Sequence, residues 1–237
     1  MWFSRDLVIK MDHIDVKNLS VCINDYVILR SVSFVVKKGQ CVGLIGKNGA
    51  GKTTLLRAMQ GLSRYTGVSN IAALSYEDRA RLVAWVPQIH DIVWDVKVKK
   101  LLEFTALKFC LNAEHAEQTI STSLASTNTL QLAEKNLSSL SSGELALVNV
   151  ARALCQNSDF ILMDEPLANL DPRQKSTLIL LMKALADQNK GIIFTSHDMP
   201  AVETACDRVI ALKHGALLFD ETHRIKFTDA RNREIFD

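Results

Sequence analysis

The chain has 237 residues, of which 48% are hydrophobic and 23% charged, and its formal net charge is +2. This balance is typical of a globular protein, and the length allows one domain with a large core and a smaller subdomain. So small a net charge provides no basic surface field of the kind that attracts nucleic acid, and we therefore expect no nucleic-acid partner.

The N-terminal part of the chain is predicted to form strands. Residues 9–36 are rich in β-branched side chains and contain polar turn residues, which predicts a small antiparallel sheet. Residues 41–45 form a continuous apolar run, as expected for a buried strand. Residues 1–6 lack the sustained apolar region of a secretion signal. Because Met11 precedes the strand-like run, we hypothesise that the ten residues before it are a dispensable leader.

A glycine-rich loop follows the apolar run. Residues 46–54 read GKNGAGKTT and precede a helix-forming stretch, a pattern that predicts binding of ATP or GTP. Glycines let the backbone N–H groups turn towards phosphate, and the helix start adds further donors. We expect Lys52 to reach the β- and γ-phosphates, and the hydroxyl of Thr53, or less directly Thr54, to help hold magnesium. The predicted phosphate-binding residues are Gly46, Lys47, Asn48, Gly49, Ala50, Gly51, Lys52, Thr53 and Thr54.

The middle of the chain changes from strands to helices. Residues 75–81 are predicted to form a short helix, and residues 82–86 a buried strand that ends at Pro87. Beyond it, helical patterns at about residues 96–111 and 113–124 are joined by polar residues. This shift in composition indicates an inserted helical subdomain.

Strands return in the C-terminal part. Residues 160–163, 192–195 and 209–212 are nearly continuous apolar runs, which are typical of parallel strands covered on both faces. Between the first two runs, residues 172–186 carry apolar side chains at helical spacing. We therefore predict an α/β core whose ligand lies at the carboxyl ends of the strands, followed by a short polar tail, residues 221–237.

Two acidic residues follow the first of these runs. Asp164 is predicted to lie at the end of a buried strand, where its carboxylate can bind magnesium through water. Glu165 then points towards the γ-phosphate and can align or deprotonate an attacking water molecule. Together with the glycine-rich loop, this pair predicts hydrolysis of the nucleotide.

Between the loop and the acidic pair stands LSSGE, residues 140–144, at the start of a predicted helix. With this motif the chain resembles the ATP-binding cassette (ABC) family, the ATPase subunits of ABC transporters. The usual pentapeptide of that family is LSGGQ. This sequence keeps the serine and glycine that contact the γ-phosphate, Ser141 and Gly143, and differs from the family at Ser142 and Glu144.

The resemblance covers roughly residues 12–220 and implies roles for further residues. Gln88 is similar to the glutamine that senses magnesium and the attacking water, and His197 to the histidine that contacts the γ-phosphate. Asp171 resembles the acidic member of the loop that crosses between subunits. Tyr26 is the candidate for the aromatic residue that stacks on adenine.

The resemblance also implies the fold and its division. We expect a P-loop NTPase (RecA-like) α/β core with an N-terminal antiparallel β-subdomain and an inserted α-helical subdomain. The core would comprise residues 1–89 and 156–222, the helical subdomain with its signature motif residues 90–155, and the short tail residues 223–237.

The family arrangement implies that two ATPase subunits, in a homodimer as the simplest case, close around ATP and magnesium. The chain is expected to lie on the inner face of the cell membrane and to contact permease subunits through a groove around residues 91–102, with Trp94 and Val96 as contacts. The sequence RARLVAWVPQ, residues 79–88, most resembles ATPases of importers for iron complexes, haem and vitamin B12, which use a periplasmic or extracellular substrate-binding protein.

Three alternatives stay open at this point. The first is the ATPase of an ABC exporter, and the second is an ABC-type ATPase that acts on DNA or ribosomes. The third is a P-loop GTPase or small-molecule kinase, which does not explain LSSGE or His197. The substrate is not readable from this chain.

Cysteine spacing and hydropathy argue against two other classes of protein. The five cysteines are odd in number, widely spaced and free of any CxxC pair, so we interpret them as reduced, mostly buried thiols of a cytosolic protein. No apolar stretch of the sequence reaches the roughly 18 residues that a membrane-spanning helix needs.

Overall fold

A computed structural model describes residues 10–88, 95–110, 112–222, 227–228 and 234–236. The strands in these ranges are β1 (His13–Ile23), β2 (Tyr26–Lys37), β3 (Cys41–Ile45), β4 (Thr66–Ser69), β5 (Val83–Val86), β6 (Phe160–Met163), β7 (Gly191–Ser196), β8 (Arg208–Lys213) and β9 (Ala216–Thr222). The α-helices are α1 (Lys52–Met59), α2 (Tyr76–Leu82), α3 (Val98–Phe109), α4 (Ala113–Ser126), α5 (Ser142–Leu154), α6 (Pro172–Asp187) and α7 (Met199–Ala205).

The strands form two sheets. The smaller sheet is antiparallel, in the order β2-β1-β4, and the larger has the order β5-β6-β7-β3-β8-β9. All neighbours in the larger sheet are parallel except β8 and β9. Because β3, β6 and β7 lie side by side, their carboxyl ends meet at one edge of the sheet. This edge is where α/β proteins bind ligands.

The central strands β3, β6 and β7 of the larger sheet are buried on both faces, which explains their continuous apolar sequences. Side chains alternate along each strand. Ile161 and Met163 of β6 belong to a core shared with α5, α6 and α7, whereas Phe160 and Leu162 face a second core shared with α1 and the smaller sheet. The helical subdomain has a third core, built by α3, α4 and one side of α5. Helix α5 therefore connects the subdomain to the main core.

The expected fold class is confirmed. The strands and helices predicted in the described part of the chain are all present, most of them within a few residues of the predicted bounds. Strand β4, strand β9 and helix α7 were not predicted. The tail was expected to be polar, but two of its apolar residues join the main core. Ile235 is buried in that core, and Phe227 packs against it. The proposed division into core, helical subdomain and tail remains a prediction.

Some predictions concern residues outside the described ranges. They are the leader hypothesis for residues 1–9, the permease contact by Trp94, and the end of the helix predicted to reach residue 111. In the part of the chain that is described, none of the helices combines the length and the apolar character needed to span a membrane. All five cysteines are free; Cys41 and Cys155 are buried, and Cys22 is exposed.

Candidate active site

The loop between β3 and α1 needs glycine at two positions. Gly46 has a φ of 152°, and a Cβ there would collide with the carbonyl oxygen of Leu212. Gly51, the N-cap of α1, has a φ of 101°, and a Cβ there would lie 2.6 Å from Leu29 Cδ2. No side chain of the described residues caps α1. The loop therefore turns tightly, and the first amides of α1 remain available for an anion.

Lys52 stands at the centre of this loop as a buried cation. Its Nζ donates hydrogen bonds to the carbonyl oxygens of Gly46, at 2.8 Å, and Lys47, at 3.3 Å. It also lies 3.9 Å from Oε1 of Glu165. Burial lowers the pKa of Lys52 from its ordinary value of 10.5, while Glu165 and Asp164 oppose that shift. The loop thus holds the ammonium group before any phosphate arrives.

The two acidic residues are fixed by the neighbouring strand. Thr195 Oγ1, at the end of β7, donates a 2.7 Å hydrogen bond to Asp164 Oδ1. Thr195 Oγ1 also accepts a 2.7 Å hydrogen bond from the backbone N–H of Glu165. Glu165 has a φ of 49°, in the left-handed region that a side chain disfavours. With this backbone turn, the Asp164 carboxylate faces Thr195, whereas the Glu165 carboxylate lies near Lys52 and His197.

His197 contacts the second of these carboxylates. Its Nδ1 lies 3.0 Å from Oε2 of Glu165, so one carboxylate has His197 on one oxygen and Lys52 near the other. The His197 side chain is 62% exposed, whereas that of Glu165 is 10% exposed. The histidine therefore reaches from the surface to a carboxylate that is close to the loop.

A cavity of about 520 Å³ joins these elements. It is lined by nine of the predicted site residues: Asn48, Gly49, Gly51, Lys52, Thr53, Thr54, Gln88, Glu165 and His197. Asp164 is buried and does not line this cavity, but it lines a second, smaller cavity together with Gln88. Tyr26 does not line this cavity and is 76% exposed, whereas Ile28, two residues further along β2, does line it. The stacking of Tyr26 on adenine stays a prediction.

The residues of the LSSGE motif form a separate group at the start of α5. Ser141 and Glu144 make a capping box: Glu144 N–H donates to Ser141 Oγ at 3.2 Å, and Ser141 N–H donates to Glu144 Oε2 at 2.8 Å. That backbone hydrogen bond is the main cause of the lowered pKa of Glu144. None of residues 141–144 lines the 520 Å³ cavity. Ser142 instead lines a smaller cavity of about 160 Å³, together with Gln88 and Glu165.

Asp171 starts α6 with a second capping box. Its Oδ1 accepts the Gln174 N–H at 2.8 Å, and Gln174 Oε1 accepts the Asp171 N–H at 3.1 Å. The two helix starts meet at Gly143, where a Cβ would lie 2.7 Å from Gln174 Oε1 and 3.1 Å from the carbonyl oxygen of Asn169. A larger residue here would therefore disturb the Gln174 side chain and its capping box.

Two residues of the site were missed by the sequence interpretation. Thr195 received no role, although a polar side chain near the end of an apolar strand was a usable signal. Ile28 was treated only as part of a strand, and nothing in its local sequence indicates that it lines the cavity.

The donors near the cavity suit magnesium. The described residues contain no group of three His, Cys, Asp or Glu side chains that could hold a metal ion by themselves. Thr53 and Gln88 line the 520 Å³ cavity, and Asp164 lines the 160 Å³ cavity together with Gln88, so these three residues offer oxygen donors of which one is a carboxylate. Magnesium commonly takes only one or two carboxylates from the protein and completes its shell with water and phosphate oxygens.

A glycine-rich loop on a parallel sheet, with an acidic pair on a nearby strand, defines a P-loop nucleoside triphosphatase. Comparison with known families matches residues 29–168 to the ABC transporter family. The manganese transport system ATP-binding protein MntB of Halalkalibacterium halodurans is 31% identical over 207 residues, which cover 84% of this chain and 82% of that protein.

Other relatives are named for different substrates or for the opposite direction of transport. The cobalamin import ATP-binding protein BtuD of Halobacterium salinarum is 31% identical, and the match covers 94% of this chain and 58% of that protein. The Nod factor export ATP-binding protein I of Burkholderia orbicola is also 31% identical, with 85% and 68% covered.

Solved structures agree with the fold. An ATP-binding subunit of an ABC transporter superposes with a TM-score of 0.80 at 25% identity, covering 88% of this chain and 89% of that one. A dimeric ATP-binding cassette bound to ADP and phosphate gives a TM-score of 0.77 at 22% identity, with 88% and 98% covered. The chain belongs to the ABC transporter family, and it is an ATP-binding and ATP-hydrolysing transporter subunit.

Proposed function

We propose that two copies of this chain pair so that each ATP is held by the cavity of one copy and the α5 start of the other. The observation that carries the proposal is that Lys52, Glu165 and His197 line the 520 Å³ cavity, whereas residues 141–144 do not. The capping box uses the amides of Ser141 and Glu144, but not those of the two residues between them. A helix start of this kind suits the γ-phosphate of an ATP on another copy.

Within one cavity, each residue has a proposed part. Lys52 neutralises the β- and γ-phosphates, and Tyr26 stacks on the adenine ring. Glu165 orients or deprotonates the attacking water, while His197 holds that carboxylate and contacts the γ-phosphate. Thr53, Gln88 and Asp164 would hold magnesium, which neutralises negative charge on the phosphates when it is bound. Asp171 reaches towards the partner subunit.

The pairing can be tested with the full-length variant Glu165→Gln, which is expected to bind ATP without hydrolysing it. Light scattering with Mg-ATP should show a dimer, and the same variant with Mg-ADP should be monomeric or weakly paired. Adding Ser141→Ala should weaken the dimer without changing nucleotide affinity of the monomer. A Glu165→Gln protein that stays monomeric with saturating Mg-ATP, alone and within its transporter, would contradict the proposal.

We further propose that the transporter is an importer at the inner face of the cell membrane, with permease subunits and a substrate-binding protein as partners. The manganese and cobalamin relatives favour a metal ion or a metal-containing compound, such as an iron complex, haem or cobalamin. An exporter is the second candidate, because the Nod factor export relative has the same 31% sequence identity as the manganese and cobalamin relatives.

Direction can be tested after the tagged chain is used to isolate its membrane subunits. Those subunits and the chain would be reconstituted in vesicles with the ATPase outside, and a matched Glu165→Gln complex would be the control. With the binding protein and Mn²⁺ or cobalamin inside, an importer should release the substrate when ATP is added outside. ATP-driven accumulation inside the vesicles would instead establish export.

A further inference from the structure

An ion pair links the start of α6 to the turn that carries His197. Lys175 Nζ lies 2.6 Å from Asp198 Oδ2, and the two side chains are 33% and 27% exposed. Lys175 comes directly after Gln174, the residue that closes the capping box of α6. The pair therefore joins the first turn of α6 to the residue that follows His197.

Asp198 is held by more than this ion pair. Its Oδ1 accepts the Ala201 N–H at 3.2 Å as the N-cap of α7, and its own N–H donates to Ser196 Oγ at 3.0 Å. The hydrogen bond from Lys175 is the largest cause of the lowered pKa of Asp198. Each oxygen of this carboxylate thus contacts a different helix, α6 or α7.

His197 depends on these anchors for its position. Because its side chain is largely exposed, packing alone does not fix its orientation. A cavity of about 320 Å³ also adjoins it, and the lining of that cavity includes Glu165, Lys175 and Asp198. A change in Asp198 therefore acts directly on the backbone that presents His197 to Glu165.

The same turn of α6 contacts the LSSGE helix on its other side. Gln174 lies against Gly143, so closely that a Cβ on Gly143 would be 2.7 Å from its Oε1. Two successive residues of α6, Gln174 and Lys175, thus contact the start of α5 and the His197 turn, respectively. A displacement of α5 has a short route to His197.

We propose that Lys175 and Asp198 are a positioning pair that couples the partner-facing helix starts of a subunit to its own Glu165 and His197. This inference rests on the proposed function, because in the proposed dimer Ser141 and Asp171 face one ATP while Glu165 and His197 act on the other. The pair then makes hydrolysis at one site depend on how well the same subunit grips the second ATP.

Two variants remove the pair with little other change. Lys175→Met keeps most of the side-chain stem, and Asp198→Asn keeps an N-cap oxygen for α7 while losing the charge. In steady-state hydrolysis by the full-length protein, each should lower kcat by about two- to fivefold, as expected for a partly exposed ion pair. Both should reduce the Hill coefficient for ATP, while the Kd for nucleotide stays unchanged. The double variant should be no worse than the worse single variant.

Controls separate positioning from general stability. Lys175→Arg keeps the ion pair and should restore most of kcat. Lys38→Met removes another partly exposed pair, Lys38 with Asp159 at 2.9 Å, which lies outside the site and the proposed permease groove, and it should leave kcat and the Hill coefficient unchanged. Thermal unfolding of all variants would identify any that are simply destabilised. If Lys175→Met is destabilised, the test is the difference in kcat and Hill coefficient between Lys175→Arg, which keeps the ion pair, and Asp198→Asn, which loses it.

The outcomes distinguish this inference from the proposed function. Wild-type protein that hydrolyses ATP cooperatively, with kcat and the Hill coefficient equally high in Lys175→Met and Asp198→Asn, would overturn only the inference. Non-cooperative hydrolysis by wild type, with a Glu165→Gln form that still pairs in Mg-ATP, would also overturn only the inference. A Glu165→Gln form that stays monomeric in Mg-ATP, alone and within its transporter, would overturn the shared-site proposal and the inference with it.

Discussion

Thr195 donates its hydroxyl hydrogen to Asp164 across two neighbouring strands, at 2.7 Å. Its oxygen also accepts the N–H of Glu165, so a single fully buried hydroxyl holds both acidic residues. Residue 163 of β6 pairs with residue 194 of β7, which places Asp164 beside Thr195. The parallel register of these strands therefore sets the geometry of the acidic pair.

Thr195→Val should show the value of this hydroxyl. Valine has nearly the same shape, but it leaves a buried carboxylate oxygen and the Glu165 N–H without their partner. We expect a loss of about 2 to 4 kcal/mol in the free energy of unfolding, measured with urea, and a fall in kcat of about tenfold or more. Thr195→Ser keeps the hydroxyl and should retain much of both. Equal behaviour of the two variants would contradict this prediction.

Glu165→Gln and Lys52→Ala should separate chemistry from binding. Glutamine at 165 cannot take a proton from water, so kcat should fall by about 10²-fold or more while nucleotide binding is kept. Lys52→Ala removes the cation held in the loop and should weaken nucleotide binding itself. Equilibrium titration with fluorescent ATP and single-turnover hydrolysis distinguish these effects. Unchanged hydrolysis in Glu165→Gln would exclude Glu165 from the reaction.

Gly143→Ala tests the contact between the two helix starts. The added Cβ would lie 2.7 Å from Gln174 Oε1 and 3.1 Å from the carbonyl oxygen of Asn169, so the Gln174 side chain must move out of its capping box and the Asn169 backbone must give slightly. We expect weaker ATP-dependent pairing and slower hydrolysis, with unchanged ATP affinity of the monomer.

A second substitution provides the control for Gly143→Ala. Gln174→Ala on the same chain removes the obstructing side chain and should restore part of the pairing, which analytical ultracentrifugation can measure. Lack of any rescue would place the effect of Gly143→Ala elsewhere, for example at the nearby carbonyl of Asn169.

Glu144 predicts a pH effect on stability. Its pKa is lowered from 4.5 in the folded protein, chiefly because the Ser141 N–H donates to the carboxylate. Such a group stabilises the fold above its unfolded pKa, and this stabilisation is lost as the pH falls through the lowered folded value. The stability advantage of wild type over Glu144→Gln should therefore be present at pH 7 and shrink below about pH 4.5.

The matched control is Glu114→Gln. Glu114 lies in the first turn of α4, where Asn112 forms the cap, so it reports the effect of charge near a helix start without the capping box. Urea unfolding from pH 7 to pH 3 measures the stability advantage of wild type over each variant. This advantage should shrink more for Glu144→Gln than for Glu114→Gln. The same pH dependence in both comparisons would mean that the capping box adds nothing.

The sequence by itself determined the elements that depend on near neighbours. Residues 46–54 specify a phosphate-binding loop because glycine positions and a helix start act within a few residues. Continuous apolar runs predicted the parallel strands, and residues 160–165 placed an acidic pair at a strand end. The family resemblance added Gln88, Asp171 and His197, and their roles remain predictions.

Only the tertiary structure decided which of these elements meet. Strand register brings Thr195 to Asp164, and helix packing brings Gln174 to Gly143 and Lys175 to Asp198. The tertiary structure also adds β4 to the smaller sheet and β9 to the edge of the larger sheet. These contacts join residues that are distant along the chain, and their local patterns resemble ordinary caps, turns and surface charges. Their partners are set by the packing of whole strands and helices, which no short stretch of sequence contains.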